Sequence, residues 1–382
     1  MRLEAEWIGR TETQRVCAVL TDAGYQAWFV GGCVRNTLLG QPVADIDITT
    51  DARPEKVLGL AESASLRAVA TGMDHGTVTL ICNGVPHEVT TMRRDVETDG
   101  RHAVIAYADT IEEDAHRRDF TMNAIYAAPD GWVHDPLGGL VDLKARQVRF
   151  IDDPDQRISE DYLRILRFFR FHAWYGDPAT GPDSDALASI ANHVEGLETL
   201  SRERIGGEMR KLLSAPDPAP AIATMRSLGV LAHVLPGAED SALAPLVHLE
   251  AETGCAPDAM RRLAAIGGDD PKTMLRLSRA QERTFNQLRE AVGDPDSAAA
   301  LGYRHGADRA RDILLLRAAM LKTPFDPNNL TEVEEGAAAR FPVRAADLMP
   351  EANGVELGRK LKELERRWID SGFRLSREDL IG

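Results

Sequence analysis

Along the first 150 or so residues, short β-branched runs alternate with stretches in which apolar residues recur at helical spacing. The pattern predicts a helix over 12–23 closed by Gly24, a strand over 27–30, a helix over 34–39 and a strand over 46–49. Pro54 suits the first turn of a further helix running to about 63. Residues 77–82 and 85–91 flank Asn83-Gly84, the strongest short signal for a β-hairpin. The polar run 93–108 reads as a long mobile loop. After Ile151 strand signals nearly vanish, and helical periodicity is interrupted only by Pro/Gly/Asp-rich breaks near 176–183, 214–220, 236–239, 267–272 and 323–329. The expected fold class is α+β: a small head with a mixed sheet and helices, followed by an all-α remainder.

Composition narrows this picture modestly. The 382 residues, 43% of them hydrophobic, are ordinary for a globular chain with room for several domains. No apolar run approaches the roughly 20 residues of a membrane span, and Met1–Glu6 does not resemble a secretory signal. The four cysteines (Cys17, Cys33, Cys82 and Cys255) lack C-x-x-C spacing. That argues against a zinc site or a disulfide framework and favours a reducing, cytoplasmic setting. His75, His87, His102 and His116 also lack metal-ligand spacing, so packing or solvated roles are expected of them. A net charge of −15 argues superficially against nucleic acid. Binding depends on local patches, however, and Arg157, Arg164, Arg167 and Arg170 form one basic cluster while Arg202, Arg204, Arg210 and Lys211 form another.

The densest chemistry begins at Asp45-Ile46-Asp47-Ile48. In a strand, Asp45 and Asp47 would share one face and the isoleucines the other. Two adjacent carboxylates repel unless a cation lies between them, and hard oxygen ligands suit Mg²⁺. An Asp-x-Asp can also be a turn or a helix cap, which the flanking isoleucines disfavour. Upstream, Gly31-Gly32-Cys33-Val34-Arg35 places a tight turn and a guanidinium where a triphosphate would sit, though a strand-to-helix turn alone also explains the glycines. Glu88, within the second strand of the expected hairpin, is either a further carboxylate for the same chemistry or part of an exposed strand face. Cys33 is expected to be a small packed residue near this site.

Three further runs stand out. In Arg118-Asp119-Phe120-Thr121-Met122-Asn123, Asp119 can fix a guanidinium, Thr121 can cap a helix and Asn123 can anchor a loop, whereas Arg117 and Arg118 also read as a solvated pair. The stretch 160–171 reads as helical, with Asp161, Arg164, Arg167 and Arg170 every third residue. Asp161 and Arg164 read either as an ordinary surface i,i+3 pair or as a base-selecting pair. Cytosine and adenine present an amino donor beside a ring-nitrogen acceptor, and one carboxylate next to one guanidinium matches them while mispairing guanine and uracil. Ser201 is a good N-cap without a completed capping box, and the basic residues after it either bind an RNA backbone or brace a helix junction.

Taken together, Gly31-Gly32-x-Val34-Arg35, Leu38-Leu39-Gly40, Asp45-x-Asp47, the run from Arg118 to Ala124, Glu160-Asp161-x-x-Arg164 and Ser201-x-Glu203-Arg204 resemble the bacterial class II tRNA nucleotidyltransferases and poly(A) polymerases. Gly354, Leu357, Leu361 and Trp368 resemble that family's closing helix. The resemblance implies a head (1–151), a neck (152–214), a body (215–330) and a tail (331–382). It implies Mg²⁺ on Asp45 and Asp47, with Glu88 assisting catalysis. Gly32 and Arg35 would contact triphosphate, and Arg118, Asp161, Arg164, Arg167 and Arg170 would form the nucleotide pocket. Implied partners are the tRNA acceptor end, CTP and ATP. The strand residues His87–Arg93 and the segment 93–108, with Asp99-Gly100-Arg101, resemble CCA-adding members more than poly(A) polymerases. Asn36 stands where the family usually has Asp, which removes a charge and loosens the expected constraint on Arg35. Within the family, poly(A) addition and partial CC- or A-addition stay open; outside it, a metal-dependent glycosyltransferase would use Asp-x-Asp but leaves Arg118–Asn123 and Asp161/Arg164 unexplained, and the intact acidic residues count against a non-catalytic RNA-binding protein with a degenerate head.

Overall fold

The computed structural model describes residues 1–73, 76–98, 103–349 and 352–382. Its described residues form two units, Met1–Glu208 with Thr224–Val234, and Met209–Ala223 with Leu235–Gly382.

The first unit opens with helices α1 (Glu6–Gly9) and α2 (Thr11–Thr21), then β1 (Trp28–Val30), α3 (Gly32–Leu38), β2 (Asp47–Thr50) and α4 (Pro54–Ser63). Strands β3 (Arg67–Gly72), β4 (Thr77–Cys82), β5 (Val85–Thr91), β6 (Arg93–Thr98) and β7 (Ala103–Tyr107) follow. Then come α5 (Ile111–His116), β8 (Tyr126–Ala127), β9 (Val133–His134) and α6 (Gly139–Lys144). The elements expected up to residue 91 all form, with ends shifted by one or two residues.

Seven strands make one mixed sheet in the order β3-β4-β5-β2-β1-β8-β9. Its one parallel pair is β2 with β5, in register Asp47↔Glu88 through Thr50↔Thr91, and the remaining pairs are antiparallel. The β4–β5 hairpin turns at Asn83 (φ 47°) and Gly84 (φ 85°), both left-handed, as a two-residue hairpin loop of this type requires. The segment 93–108, expected as a loop, instead contains β6 and β7, paired antiparallel as a separate two-stranded sheet with a bulge between Asp95 and Glu97. A strand ladder joins backbone to backbone, so polar side chains on β6 did not prevent it, and the run Ala103–Tyr107 is itself β-prone. Asp99, Gly100 and Arg101 lie outside the described residues, as do His75 and His102.

Helices α7 (Pro154–Glu160), α8 (Leu163–Tyr175), α9 (Ser184–His193) and α10 (Arg202–Leu213) come next. The stretch 160–171 is therefore not one helix. Asp161 is extended, at φ −155° and ψ 102°, and its carboxylate accepts a hydrogen bond from the Leu163 N–H at the start of α8. An Asp side chain competing for backbone donors favours this kind of break. Phe168 of α8 stacks on Phe150 with ring centroids 5.6 Å apart, while Phe171 and Phe168 both approach Phe120. These rings are almost fully buried and fix α8 against the sheet-bearing region.

After α10 the described residues form helices with no named strand: α11 (Ala219–Ser227), α12 (Val230–Val234), α13 (Leu243–Thr253), α14 (Ala259–Ile266), α15 (Pro271–Met274), α16 (Arg279–Val292), α17 (Ala298–His305), α18 (Ala307–Leu321), α19 (Asn328–Ala338), α20 (Gly354–Asp370) and α21 (Arg377–Ile381). The second unit carries a buried charge network in which Glu250 accepts from both Arg261 and Arg262, and Arg262 also donates to the carbonyls of Leu213 and Pro216. In α20, Leu361, Leu364 and Trp368 pack in a cluster with Val343 and Leu380. No helix among the described residues is long and apolar enough to cross a membrane.

Because Phe168 is fully buried among other rings, Phe168→Ala should lower the unfolding free energy by about 3–5 kcal/mol. Urea denaturation followed by circular dichroism measures this.

Candidate active site

Parallel pairing of β2 and β5 sets Glu88 directly beside Asp47. Asp45 lies two residues before the start of β2 and is exposed, while Asp47 is half-buried. Strand geometry thus holds one of the two aspartates and the approach segment holds the other. Ile46 and Ile48 are buried, as their spacing predicts. Burial, then Glu88, then Asp45 push the Asp47 carboxyl up to about 6, against the opposing pull of Arg118 and Arg35. A carboxylate in that state lacks a full complement of positive charge. Hard oxygen donors with unmet negative charge fit a divalent cation such as Mg²⁺. Among the described residues no three His, Cys, Asp or Glu side chains are grouped closely enough to cage an ion by themselves. A cation there would therefore draw other ligands from water and substrate.

Gly31 joins β1 to α3 at φ +73°, which a side chain would strain. A Cβ on it would point into the space between Arg118 Nη1 and Asp47 Oδ2, 3.8 Å from each. The glycine keeps that space open beside the carboxylates. A Cβ on Gly32 would sit 3.9 Å from Arg35 Nη2. Cys33 behind them is fully buried, and burial together with the Asp47 charge pushes its thiol up to about 12, so it is a neutral packing group.

Arg35 is 7% exposed. Its Nη1 donates to Asn123 Oδ1 at 2.5 Å and its Nη2 to the Tyr175 hydroxyl at 2.8 Å. Its Nε and Nη2 also both donate to Asn36 Oδ1, at 3.1 and 2.8 Å. Asn36 thus constrains Arg35 rather than loosening it, and its Nδ2 in turn donates to the Pro42 carbonyl at 2.9 Å, on the segment leading to Asp45.

Arg118 and Arg117 are not a solvated pair. Both close on Asp114, whose side chain is fully buried: Arg117 Nε at 2.7 Å, Arg118 Nη2 at 2.8 Å, with the Tyr126 hydroxyl adding a third donor at 2.9 Å. Burial alone would raise the Asp114 carboxyl, but Arg118 and Arg117 hold it well below the usual range. Sequence reasoning missed Asp114 and Tyr126. The i,i+3 and i,i+4 spacing of Asp114 to the two arginines was the available signal.

Asp161 and Arg164 do not pair with each other. Asp161 Oδ2 accepts from Arg204 Nη2 at 2.6 Å, whereas Arg164 Nη1 donates to Glu160 Oε2 at 2.6 Å and to the Arg157 carbonyl at 2.7 Å. The extended backbone at Asp161 lets its carboxylate bridge the start of α8, through the Leu163 N–H, and Arg204 of α10, which the assumption of a continuous helix could not anticipate. Arg157 joins the Glu160 carboxylate and donates to the carbonyls of Arg117 and Arg118 at 2.6 and 2.7 Å. Arg167 grips Asp119 at 2.7 and 2.5 Å, and Arg170 faces Glu208 at 2.8 Å. Asp119 fixes a guanidinium as expected, and Asn123 donates to it at 2.8 Å. Thr121 caps no helix, its hydroxyl donating instead to Asp142 at 2.6 Å. His87 hydrogen-bonds Thr13 in the core and His116 meets Asp152 at the surface.

The Poly A polymerase head domain family model matches residues 27–149, and the model for a probable RNA and SrmB-binding site of polymerase A matches residues 182–241. The mitochondrial CCA tRNA nucleotidyltransferase 1 of Mus musculus is 33% identical over 367 residues, covering 92% of this chain and 84% of that protein. A CCA-adding enzyme of Streptococcus pyogenes is 40% identical over 220 residues, covering 56% and 53%. The crystal structure of the Bacillus stearothermophilus CCA-adding enzyme in complex with CTP superposes with a TM-score of 0.75 at 27% identity, covering 94% of this chain and 92% of that one.

Asp114→Asn should lower the unfolding free energy at pH 7 by about 3 kcal/mol, since two buried guanidiniums lose their anion. A depressed carboxyl stabilises the fold above its unfolded value and loses that contribution as pH falls. The deficit relative to wild type should therefore hold at neutral pH and shrink only below about pH 4, as measured by denaturant titrations across that range.

Proposed function

Since this chain belongs to the CCA tRNA nucleotidyltransferase family, we propose that it adds C, C and A to the tRNA 3′ end from CTP and ATP, releasing pyrophosphate at each step. The observation carrying this reading is the Asp45/Asp47/Glu88 acid group set beside Gly31 and Arg118, with Asp47 left short of positive charge. Asp45 and Asp47 would hold Mg²⁺, which when bound lowers the pKa of the attacking 3′-hydroxyl and stabilises the leaving pyrophosphate.

The remaining work belongs to this chain's side chains. Glu88, paired with Asp47 across β2 and β5, adds a second carboxylate beside it and so favours a cation between them. Gly32 leaves room for the triphosphate beside Arg35, and Arg118 binds it across from Asp47. Asp161, 28% exposed and steadied by Arg204, accepts the exocyclic amino group of cytosine or adenine. Arg164 Nη2 is held only by a 3.3 Å bond to the Arg117 carbonyl, which leaves N–H capacity for the base's ring nitrogen. Arg167 and Arg170 lie one and two turns further along α8 and complete the pocket. We assign catalysis to 1–151, base selection to 152–214, and the grip on tRNA to 215–330 and 331–382. Four unpaired cysteines suit a reducing compartment such as the cytoplasm.

Incubating tRNA that ends before CCA with CTP, ATP or both tests the reaction. Two additions are expected with CTP alone and three with both, whereas long tails from ATP alone would make the protein a poly(A) polymerase. Asp45→Ala should abolish incorporation with tRNA affinity within about twofold of wild type. Asp161→Ala should cut discrimination of CTP over UTP by about 10- to 100-fold, the range expected from one mispaired polar group.

A further inference from the structure

The cations of this site are not equivalent. Arg35, Arg167 and Arg170 all approach the face of Phe171, with guanidinium carbons 5.1, 5.5 and 4.7 Å from the ring centroid. Arg167 has Asp119 and Arg170 has Glu208. Arg35 touches no carboxylate among the described residues, and its acceptors, Asn36, Asn123 and Tyr175, are all neutral. Its charge is therefore fixed in place without a carboxylate in direct contact; burial penalises it and Asp119 offsets this from a distance. The cost of such a group is recovered when an anion arrives.

Of these acceptors, Tyr175 makes two kinds of contact. Its hydroxyl accepts from Nη2 at 2.8 Å, and its ring lies under the guanidinium with 4.1 Å between the Arg35 Cζ and the ring centroid. It is the last residue of α8, the helix that carries Arg164, Arg167 and Arg170. Asn36 and Asn123 come from the sheet-bearing region, and of the two α8 residues that meet Arg35, Phe171 offers only its ring, so Tyr175 is the hydrogen-bonding contact through which α8 reaches the triphosphate side of the site. We propose that Tyr175 is a positioning residue for nucleotide binding: it holds the Arg35 guanidinium in a phosphate-binding orientation while leaving its charge available. This rests on the reading of Arg35 as a triphosphate ligand.

Steady-state kinetics on Tyr175→Phe, Arg35→Lys and the double variant test it. Tyr175→Phe keeps the ring and removes the acceptor. It should raise KM for both CTP and ATP about three- to tenfold and weaken inhibition by pyrophosphate by the same factor. The KM for tRNA and kcat should stay within about twofold, because a group that binds ground state and transition state alike changes KM alone. In the Arg35→Lys background the same change should have little further effect. If Arg35→Lys raises the nucleotide KM but Tyr175→Phe does not, the inference falls and the reading of Arg35 stands. If Arg35→Lys leaves the nucleotide KM unchanged, that reading fails. Equal losses in kcat and in all three KM values for Tyr175→Phe, with a lowered Tm, would make it a packing residue and overturn the proposal.

Discussion

A buried carboxylate organises this site. Asp114 draws in Arg117, Arg118 and the Tyr126 hydroxyl, and the turn that results aims two backbone carbonyls outward. Arg157 takes both of them, and Arg164 takes the Arg117 carbonyl as well. One anion thus orients a guanidinium at the acid group and anchors α7 and α8 to the sheet-bearing region. Burying three polar partners is tolerable only because each is satisfied, and loss of the central charge would leave several unpaired at once.

Around that clamp, charge is distributed unevenly. The cations on α7 and α8 all meet carboxylates: Arg157 and Arg164 share Glu160, Arg167 has Asp119 and Arg170 has Glu208. At the opening by Gly31, Asp47 faces Arg118, while Arg35 lies beside Gly32 with only neutral hydrogen-bond acceptors. Asp114 and Glu160 each serve two guanidiniums, so these clusters carry a net positive charge.

Much of this was legible in the residues. Alternation placed the hairpin at 77–91, and Asn83-Gly84 fixed its turn. The isoleucines flanking Asp47 pointed to a strand, and Gly31-Gly32 to the turn above it. What escaped depended on partners distant in sequence. Nothing near Glu88 says that β5 lies parallel to β2, because that pairing is made by a crossover and not by a turn. Asp161 looked like a helical neighbour of Arg164 because local periodicity cannot register Arg204, 43 residues later, pulling its carboxylate elsewhere. The strands in 93–107 were hidden by polar side chains that a backbone ladder ignores.

The Asp47↔Glu88 register has a consequence for how this chain can vary over evolutionary time. The two acids are neighbours because of a residue count along β5, not because either side chain seeks the other. Gaining or losing a single residue within β5 would present the adjacent position to Asp47. His87, now buried against Thr13, would be turned out beside Asp47 and Glu88 into the apolar interior. The Asn83-Gly84 tip can lengthen without that penalty. Length variation among descendants of this sequence should therefore collect at the hairpin tip and spare the seven residues of β5.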